Sequence, residues 1–440
     1  MSKKIVGLLF TILCLTSIVG IFSQKNIVAS EKETRQKITF WHAMGGDLKI
    51  ALEDIVNDYN KSQDKYEVIP NYQGQYAENL AKFQSVAGTS VAPNLLQVQE
   101  IGSKTMINNK RYIPVSKMAE RDNFDLSIIE DQIAAYYSVD GKLQSSPFNS
   151  STPVLYYNKE VLKQVGYDSF PATYEEIKDA GRKMKEKGIS TKGFSLQVYG
   201  WLFEELLANQ DILLLNQENG TTGMPTEVLF NNKETREMMQ WIVDMIKEGT
   251  FVNYGTSDND MTAGFLNGDV SMILASSASA TQILSSAKFD VGIGYLPYPE
   301  NGERTGVAIG GASVWTMKDK PEKEIAGSWD FLKYVMKPDV QAKWSLATGY
   351  FPINKESYKE KSLIDAYAKN TELEQPSKQL HSTKNVPATQ GAKTTIITES
   401  RKIIEAGMEK IYNGGDIDST LNQVSKDINQ ALTQANRVNK

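Results

Sequence analysis

The sequence predicts an α/β protein built as two lobes. Three observations carry that reading. The chain has 440 residues, too long for one compact core. Short apolar strands alternate with helical periodicities over its first hundred residues, and this rhythm gives way near residue 150 to a helix-rich stretch before returning near 270.

Ile38–Trp41 reads as a strand and Gly45-Gly46 as a turn, after which Leu48, Leu52, Ile55 and Tyr59 recur at helical spacing. Tyr66–Pro70 is the next strand, Ala77–Val86 a helix and Asn94–Gln99 a third strand. Parallel sheets place ligand crevices beyond the carboxyl ends of their strands, which puts residues 41–46, 72–76 and 99–100 on the rim of one cleft. QSSPFNSSTPVLYYNK (Gln144–Lys159) then breaks the rhythm with crowded hydroxyls, followed by a strand over Val154–Tyr157. Beyond a short helix at Glu160–Val165, Thr173 and Glu176 form a capping box. The helical region runs to Gly249, with Trp241, Ile242 and Met245 on one face. Val270–Leu274 is a strand leading into ASSAS (Ala275–Ser279), and Val307–Trp315 is strand-like around Gly310-Gly311. Residues 374–394 read as the most loop-like segment, and Leu421, Val424, Ile428 and Leu432 mark a final apolar helix stripe. A chain that leaves one lobe and returns has several crossovers, and several crossovers make a hinge. The expected boundaries are 31–150 with 277–320 for one lobe and 151–276 with 321–440 for the other.

Residues 1–30 read as an export signal: Lys3 and Lys4, an apolar run over Ile5–Phe22, then Val28-Ala29-Ser30 as a small-residue processing site. Cys14, the only cysteine, lies inside the apolar run and follows Leu13, which favours a cleaved signal over a lipid anchor. The chain is therefore expected outside the cytoplasm and without an internal disulfide. Its net charge is −5, and the three lysines of residues 1–30 leave the remainder near −8. That balance argues against nucleic acid, which needs a broad basic footprint. It leaves room for a small anion held by one arginine and aimed N–H groups.

The chemistry of catalysis is poorly represented. Only His42 and His381 are present, no GxSxG elbow surrounds any serine, and no phosphate-binding GxxxxGK[ST] loop or metal-ligand spacing occurs. No enzyme activity, cofactor or metal is expected. Singly, the remaining features have plain readings. Ser-Ser-Pro is a turn, Ser276 or Ser277 a helix cap, Gly310-Gly311 a bulge and Tyr350 a core tyrosine. Together they converge, because each lies where a strand ends or the chain changes lobe.

Seven ordered segments carry a resemblance: FWHAM (Phe40–Met44), YQGQYAENL (Tyr72–Leu80), LQVQE (Leu96–Glu100), PFNSSTPVLYYN (Pro147–Asn158), Gly268–Ser277, IGGAS (Ile309–Ser313) and TGYFPI (Thr348–Ile353). The chain resembles the extracellular solute-binding proteins of family 1, the binding components of ABC importers, and most of all its glycerol-phosphate-binding members. The resemblance implies a periplasmic-binding-protein fold of the maltose-binding kind, with an interlobe cleft and hinge. It also implies a monomer that delivers glycerol 3-phosphate or a glycerophosphodiester to transmembrane permease subunits. An oligosaccharide binder is the alternative, and a secreted hydrolase a weaker one. The implied ligand residues are Tyr76, Glu100, Ser151, Ser276, Gly311 and Tyr350, with Trp201 in the second lobe. Arg401 joins them by counting back from IYNG (Ile411–Gly414), and Val198 stands where the family pairs a second aromatic with Trp201. Glu100 and Tyr76 suit glycerol hydroxyls, since a carboxylate repels phosphate. Ser151, Ser276, the Gly311 N–H and Tyr350 suit phosphate oxygens, with Arg401 supplying charge.

Overall fold

The computed structural model describes residues 34–438; the expected export signal lies outside the described residues. In chain order the first seven strands are β1 (Gln36–His42), β2 (Tyr66–Tyr72), β3 (Leu95–Gln99), β4 (Tyr112–Ile113), β5 (Ser138–Val139), β6 (Lys142–Leu143) and β7 (Ser146–Ser151). The remaining six are β8 (Pro153–Asn158), β9 (Lys192–Leu196), β10 (Phe251–Val252), β11 (Val270–Ser276), β12 (Val291–Gly294) and β13 (Gly310–Met317). One sheet has the order β2-β1-β3-β13-β4, with β7 also on β13. The other has the order β10-β9-β11-β8-β12. β5 and β6 form a separate hairpin.

β1 runs parallel to β2 and β3, the arrangement that alternating strands and helices imply. The later arrivals β13 and β7 close that sheet antiparallel. Helix Gly46–Ser62 follows β1 and turns Leu52, Ile55, Val56 and Tyr59 inward, the face its spacing predicts. The Thr173–Glu176 capping box forms, and Trp241, Ile242 and Met245 are buried together. The stripe Leu421, Val424, Ile428 and Leu432 is buried as well.

Each sheet is packed on both faces. Ile38, Phe40, Trp329 and Leu332 share one core of the first sheet, while Phe83, Leu96 and Trp315 fill the other. Leu155, Phe194, Trp241, Ile404 and Ile428 share the main core of the second, with Tyr156, Phe265 and Ile273 opposite.

Two expected boundaries fall differently. β12 was assigned with 277–320 to the first lobe, but it pairs antiparallel with β8 in the second sheet. Helices Glu322–Val335 and Pro338–Thr348 were assigned to the second lobe, but Trp329, Phe331, Leu332 and Trp344 complete the first core. Residues 374–394 are not all loop either. Gln375–His381 is a helix, fixed by burial of Pro376 and Leu380.

Only Thr152 separates β7 in the first sheet from β8 in the second. This crossing is bonded on three sides. Thr152 N–H donates to Ser277 Oγ at 3.2 Å, Ser277 N–H donates to the Thr152 carbonyl at 2.8 Å, and Gln379 Nε2 reaches Thr152 Oγ1 at 3.2 Å and the Pro153 carbonyl at 2.7 Å. Gln379 Oε1 also accepts from Leu296 N–H, on the segment that leads back from β12 to β13.

Candidate functional site

The ends of β3 and β7 bring polar side chains into a buried chain of bonds. Gln97 Oε1 accepts from Ala43 N–H at 2.8 Å, which anchors the loop after β1. Gln97 Nε2 donates to Asn149 Oδ1 at 2.8 Å, and Asn149 Nδ2 donates to the Tyr76 hydroxyl at 2.9 Å. Tyr76 is in turn hydrogen-bonded to Tyr350. Tyr350 stacks on Trp344, with ring planes 1° apart and centroids 6.0 Å apart. Burial holds Tyr76, Tyr137 and Tyr350 above the ordinary phenol range, so all three keep their protons and remain neutral donors.

Glu100 follows β3 directly, and Arg401 lies on the helix Ile397–Tyr412. Arg401 Nη1 donates to Glu100 Oε1 at 2.9 Å. Its Nε and Nη2 donate to the two oxygens of Glu204, each at 2.9 Å. Glu204 comes from the helix Gly200–Ala208, whose first glycine presses on the arginine. A Cβ at Gly200 would lie 2.6 Å from the Arg401 Cβ. Against the cost of burial, Glu204 and then Glu100 keep Arg401 firmly protonated. Burial raises the Glu100 carboxyl above its ordinary range, opposed by Arg401. Glu100 Oε2 is buried and has no hydrogen-bond partner.

Beside this cluster is a cavity of about 20 Å³, lined by Tyr136, Trp201, Glu204, Glu205, Ile309 and Arg401 among others. That volume is little more than a water needs. Trp201 packs against the first sheet at Gly310, where a Cβ would meet its ring at 2.7 Å. The indole Nε1 is buried without a partner. Tyr199 stands 5.9 Å from the Trp201 ring and 6.0 Å from the Arg401 guanidinium. Burial pushes the Glu205 carboxyl well up, and its Oε2 accepts from Ala308 N–H at 2.9 Å.

Of the eight residues singled out in the sequence, Tyr76 and Tyr350 meet each other, Glu100 meets Arg401, and Arg401 and Trp201 line the small cavity. Ser151 is buried at the end of β7 opposite Gly310. Gly311 has φ +104°, and a Cβ there would lie 1.8 Å from the Asn149 carbonyl oxygen. The approach of β7 therefore accounts for glycine at this position. Ser276 Oγ accepts from Ala278 N–H at 3.2 Å, so its plain reading as a helix cap is also realised. Arg401, expected to meet an anion with a free charge, is instead shared between two carboxylates. Gln97, Asn149 and Glu204 were not singled out. The signal for Glu204 was readable: two adjacent acids, Glu204 and Glu205, inside the otherwise apolar helix GWLFEELLA. Among the described residues, no group of three or more His, Cys, Asp or Glu is placed to hold a metal ion.

Residues 54–375 match the family described as bacterial extracellular solute-binding protein. The chain is 34% identical over 387 residues to the sn-glycerol-3-phosphate-binding periplasmic protein UgpB of Yersinia pseudotuberculosis, covering 86% of this chain and 88% of the relative. It is 33% identical over 386 residues to the protein of that name from Escherichia coli, covering 86% and 88%. Among solved structures, UgpB from Mycobacterium tuberculosis in complex with glycerophosphocholine superposes with a TM-score of 0.77 at 20% identity, covering 90% of this chain and 98% of that one. The GacH receptor of Streptomyces glaucescens, described unliganded and with acarbose, gives 0.76 at 20% identity, covering 91% and 99%. These two likenesses show the fold.

Proposed function

The chain belongs to the bacterial extracellular solute-binding proteins, the solute-binding components of ABC importers, and on that premise we propose that its solute is glycerol 3-phosphate or a glycerophosphodiester. Its family and relatives are binding proteins rather than enzymes, and they act outside the cytoplasm.

One observation carries the ligand reading. Glu100 is buried with one oxygen on Arg401 and the other on nothing. A buried acceptor left unmade costs about 1–3 kcal/mol, more for a charged group, and a ligand hydroxyl recovers it. A glycerol moiety offers such hydroxyls, and Ser151, Ser276, Tyr350 and the Gly311 N–H are the neutral donors proposed to meet the rest of the ligand, with Tyr76 donating to Tyr350. The relatives that share the chain's length carry a glycerol phosphate in their names.

The cavity beside Arg401 is too small for such a ligand, so entry requires the two sheets to part. The crossing at Thr152 and the return after β12 are the proposed hinge segments, and a ligand touching Glu100 on one side and Trp201 on the other favours the closed form. The closed form is then the one presented to the permease.

The second reading is an oligosaccharide, favoured by Trp201, which lines the small cavity, and the neighbouring Tyr199 ring 5.9 Å from it. A thermal-shift comparison separates the two. Glycerol 3-phosphate and glycerophosphodiesters should raise the melting temperature while maltotriose leaves it unchanged. A rise with maltotriose alone would overturn the ligand assignment.

A further inference from the structure

A guanidinium carries five N–H groups, and three of those on Arg401 are taken. Nε and Nη2 hold the two oxygens of Glu204, each at 2.9 Å, and Nη1 holds Glu100 at 2.9 Å. One N–H is left on each terminal nitrogen, enough for two oxygens of an anion. The Arg401 and Glu204 side chains are 6% and 13% exposed, and both line the small cavity. A phosphate that reaches Arg401 when the sheets part therefore arrives beside Glu204 as well.

The charges of this cluster do not balance, because one guanidinium faces two carboxylates. The surroundings do not restore the balance. Glu205, on the same wall, is pushed well up by burial and counts as neutral. Glu405, one turn along from Arg401, accepts from Gly200 N–H at 3.0 Å and places a third carboxylate nearby. Burial keeps the Tyr136 and Tyr199 phenols protonated. Lys393, half-buried over the Tyr136 ring, also acts on Glu100, but desolvation lowers it to about 7 and leaves it mostly neutral at pH 8. An entering phosphate thus meets more negative charge than positive, and each further charge on it adds repulsion that a dry site screens poorly. A phosphomonoester carries nearly two charges above its second ionisation at about pH 6, whereas a diester carries one.

We propose that Glu204 is a charge filter: by sharing Arg401 with the ligand, its carboxylate selects a singly charged phosphodiester over a doubly charged phosphomonoester. The proposal rests on the functional reading above for the ligand and for the place of its phosphate at Arg401. Glu204 acts through Arg401 and through its own charge, so it determines specificity without bonding the ligand. A residue that only held Arg401 in place would leave a different signature. Its loss would weaken both kinds of phosphate alike.

The probes are glycerol 3-phosphate and its methyl ester, which share the glycerol and differ by one negative charge at pH 8. Calorimetric titration of the unmodified chain at that pH should show the methyl ester binding about ten-fold more tightly or better. Lowering the pH through about 6 protonates the monoester and should narrow the gap. Glu204→Gln, which keeps an oxygen for the Arg401 fork, should bind glycerol 3-phosphate more tightly than the unmodified chain does and narrow the gap at pH 8. Equal affinities in the unmodified chain, or a preference for glycerol 3-phosphate, would overturn the filter and leave the functional reading standing. So would weaker glycerol 3-phosphate binding or an undiminished gap in Glu204→Gln. If that variant does not fold, the comparison of the two ligands on the unmodified chain decides alone. Binding of neither ligand would refute the functional reading and the filter with it.

Discussion

Arg401 donates to Glu100 at 2.9 Å between segments 301 residues apart in the chain, and the same guanidinium grips Glu204 with its other edge. Glu100 terminates a strand of the first sheet, whereas Arg401 lies among helices packed on the second. The bond is a latch between the two halves as well as part of the candidate site.

Removing the latch exposes its cost. Arg401→Met leaves Glu100 and Glu204 buried without their cation, and breaking a buried pair in this way costs about 3–5 kcal/mol. Denaturant unfolding should show that loss, and Arg401→Met combined with Glu204→Gln should recover part of it. A loss below about 1 kcal/mol in the single variant would mean that the cluster is solvated, contrary to the structure.

Glu100→Gln keeps an oxygen for Arg401 but turns the unpartnered acceptor into an amide. Glycerol 3-phosphate affinity should fall about ten-fold or more, since bonds to a charged acceptor contribute about 1.5–3 kcal/mol. Equal affinity in the two proteins would place the ligand hydroxyls elsewhere.

His42 is fully buried at the end of β1, with Nδ1 accepting from Met44 N–H at 3.2 Å. Burial, with Lys49 adding to it, lowers this imidazole to about 4. The fold therefore holds it neutral, while the unfolded chain takes up a proton below about 6.5. Stability from this residue is present above pH 6.5 and lost as pH falls through 4, by about 3 kcal/mol in total. Urea titrations at pH 7 and pH 4.5 should show His42→Phe losing less stability on acidification than the unmodified chain. Identical losses would exclude His42 as the cause.

Gln379 bonds the outgoing crossing at Thr152 and Pro153 and the returning segment at Leu296. Gln379→Leu strands those groups and should cost about 1–3 kcal/mol. If the crossings are the hinge, the variant should also be more expanded than the unmodified chain in small-angle scattering without ligand. An unchanged radius of gyration would place the hinge elsewhere.

Much of the fold is legible where the determinants are local. The parallel strands after β1, the Thr173 capping box and the terminal stripe through Ile428 follow from period and capping alone. What escapes is long-range pairing. β12 joins β8 across more than 130 residues of chain, and Trp329 returns to a core begun by Ile38. Neither choice leaves a trace in local periodicity. The site divides in the same way. Glu100 and Arg401 were reached through motifs, and they touch. For Glu204 the acidic pair in an apolar helix is visible in the sequence, but its partner is not, because only the fold brings it to an arginine 197 residues away. Lys393 lies in the stretch that read as loop, where nothing in the sequence indicates that it will be half-buried over the Tyr136 ring.

The proposed solute presents glycerol hydroxyls and a phosphate to one cleft. Calorimetric titration of the chain with glycerol 3-phosphate, run beside maltotriose, tests that most directly. A saturable one-to-one isotherm for glycerol 3-phosphate, absent for maltotriose and weakened in Glu100→Gln, is the predicted result. A flat trace with glycerol 3-phosphate, or binding of maltotriose alone, would contradict it.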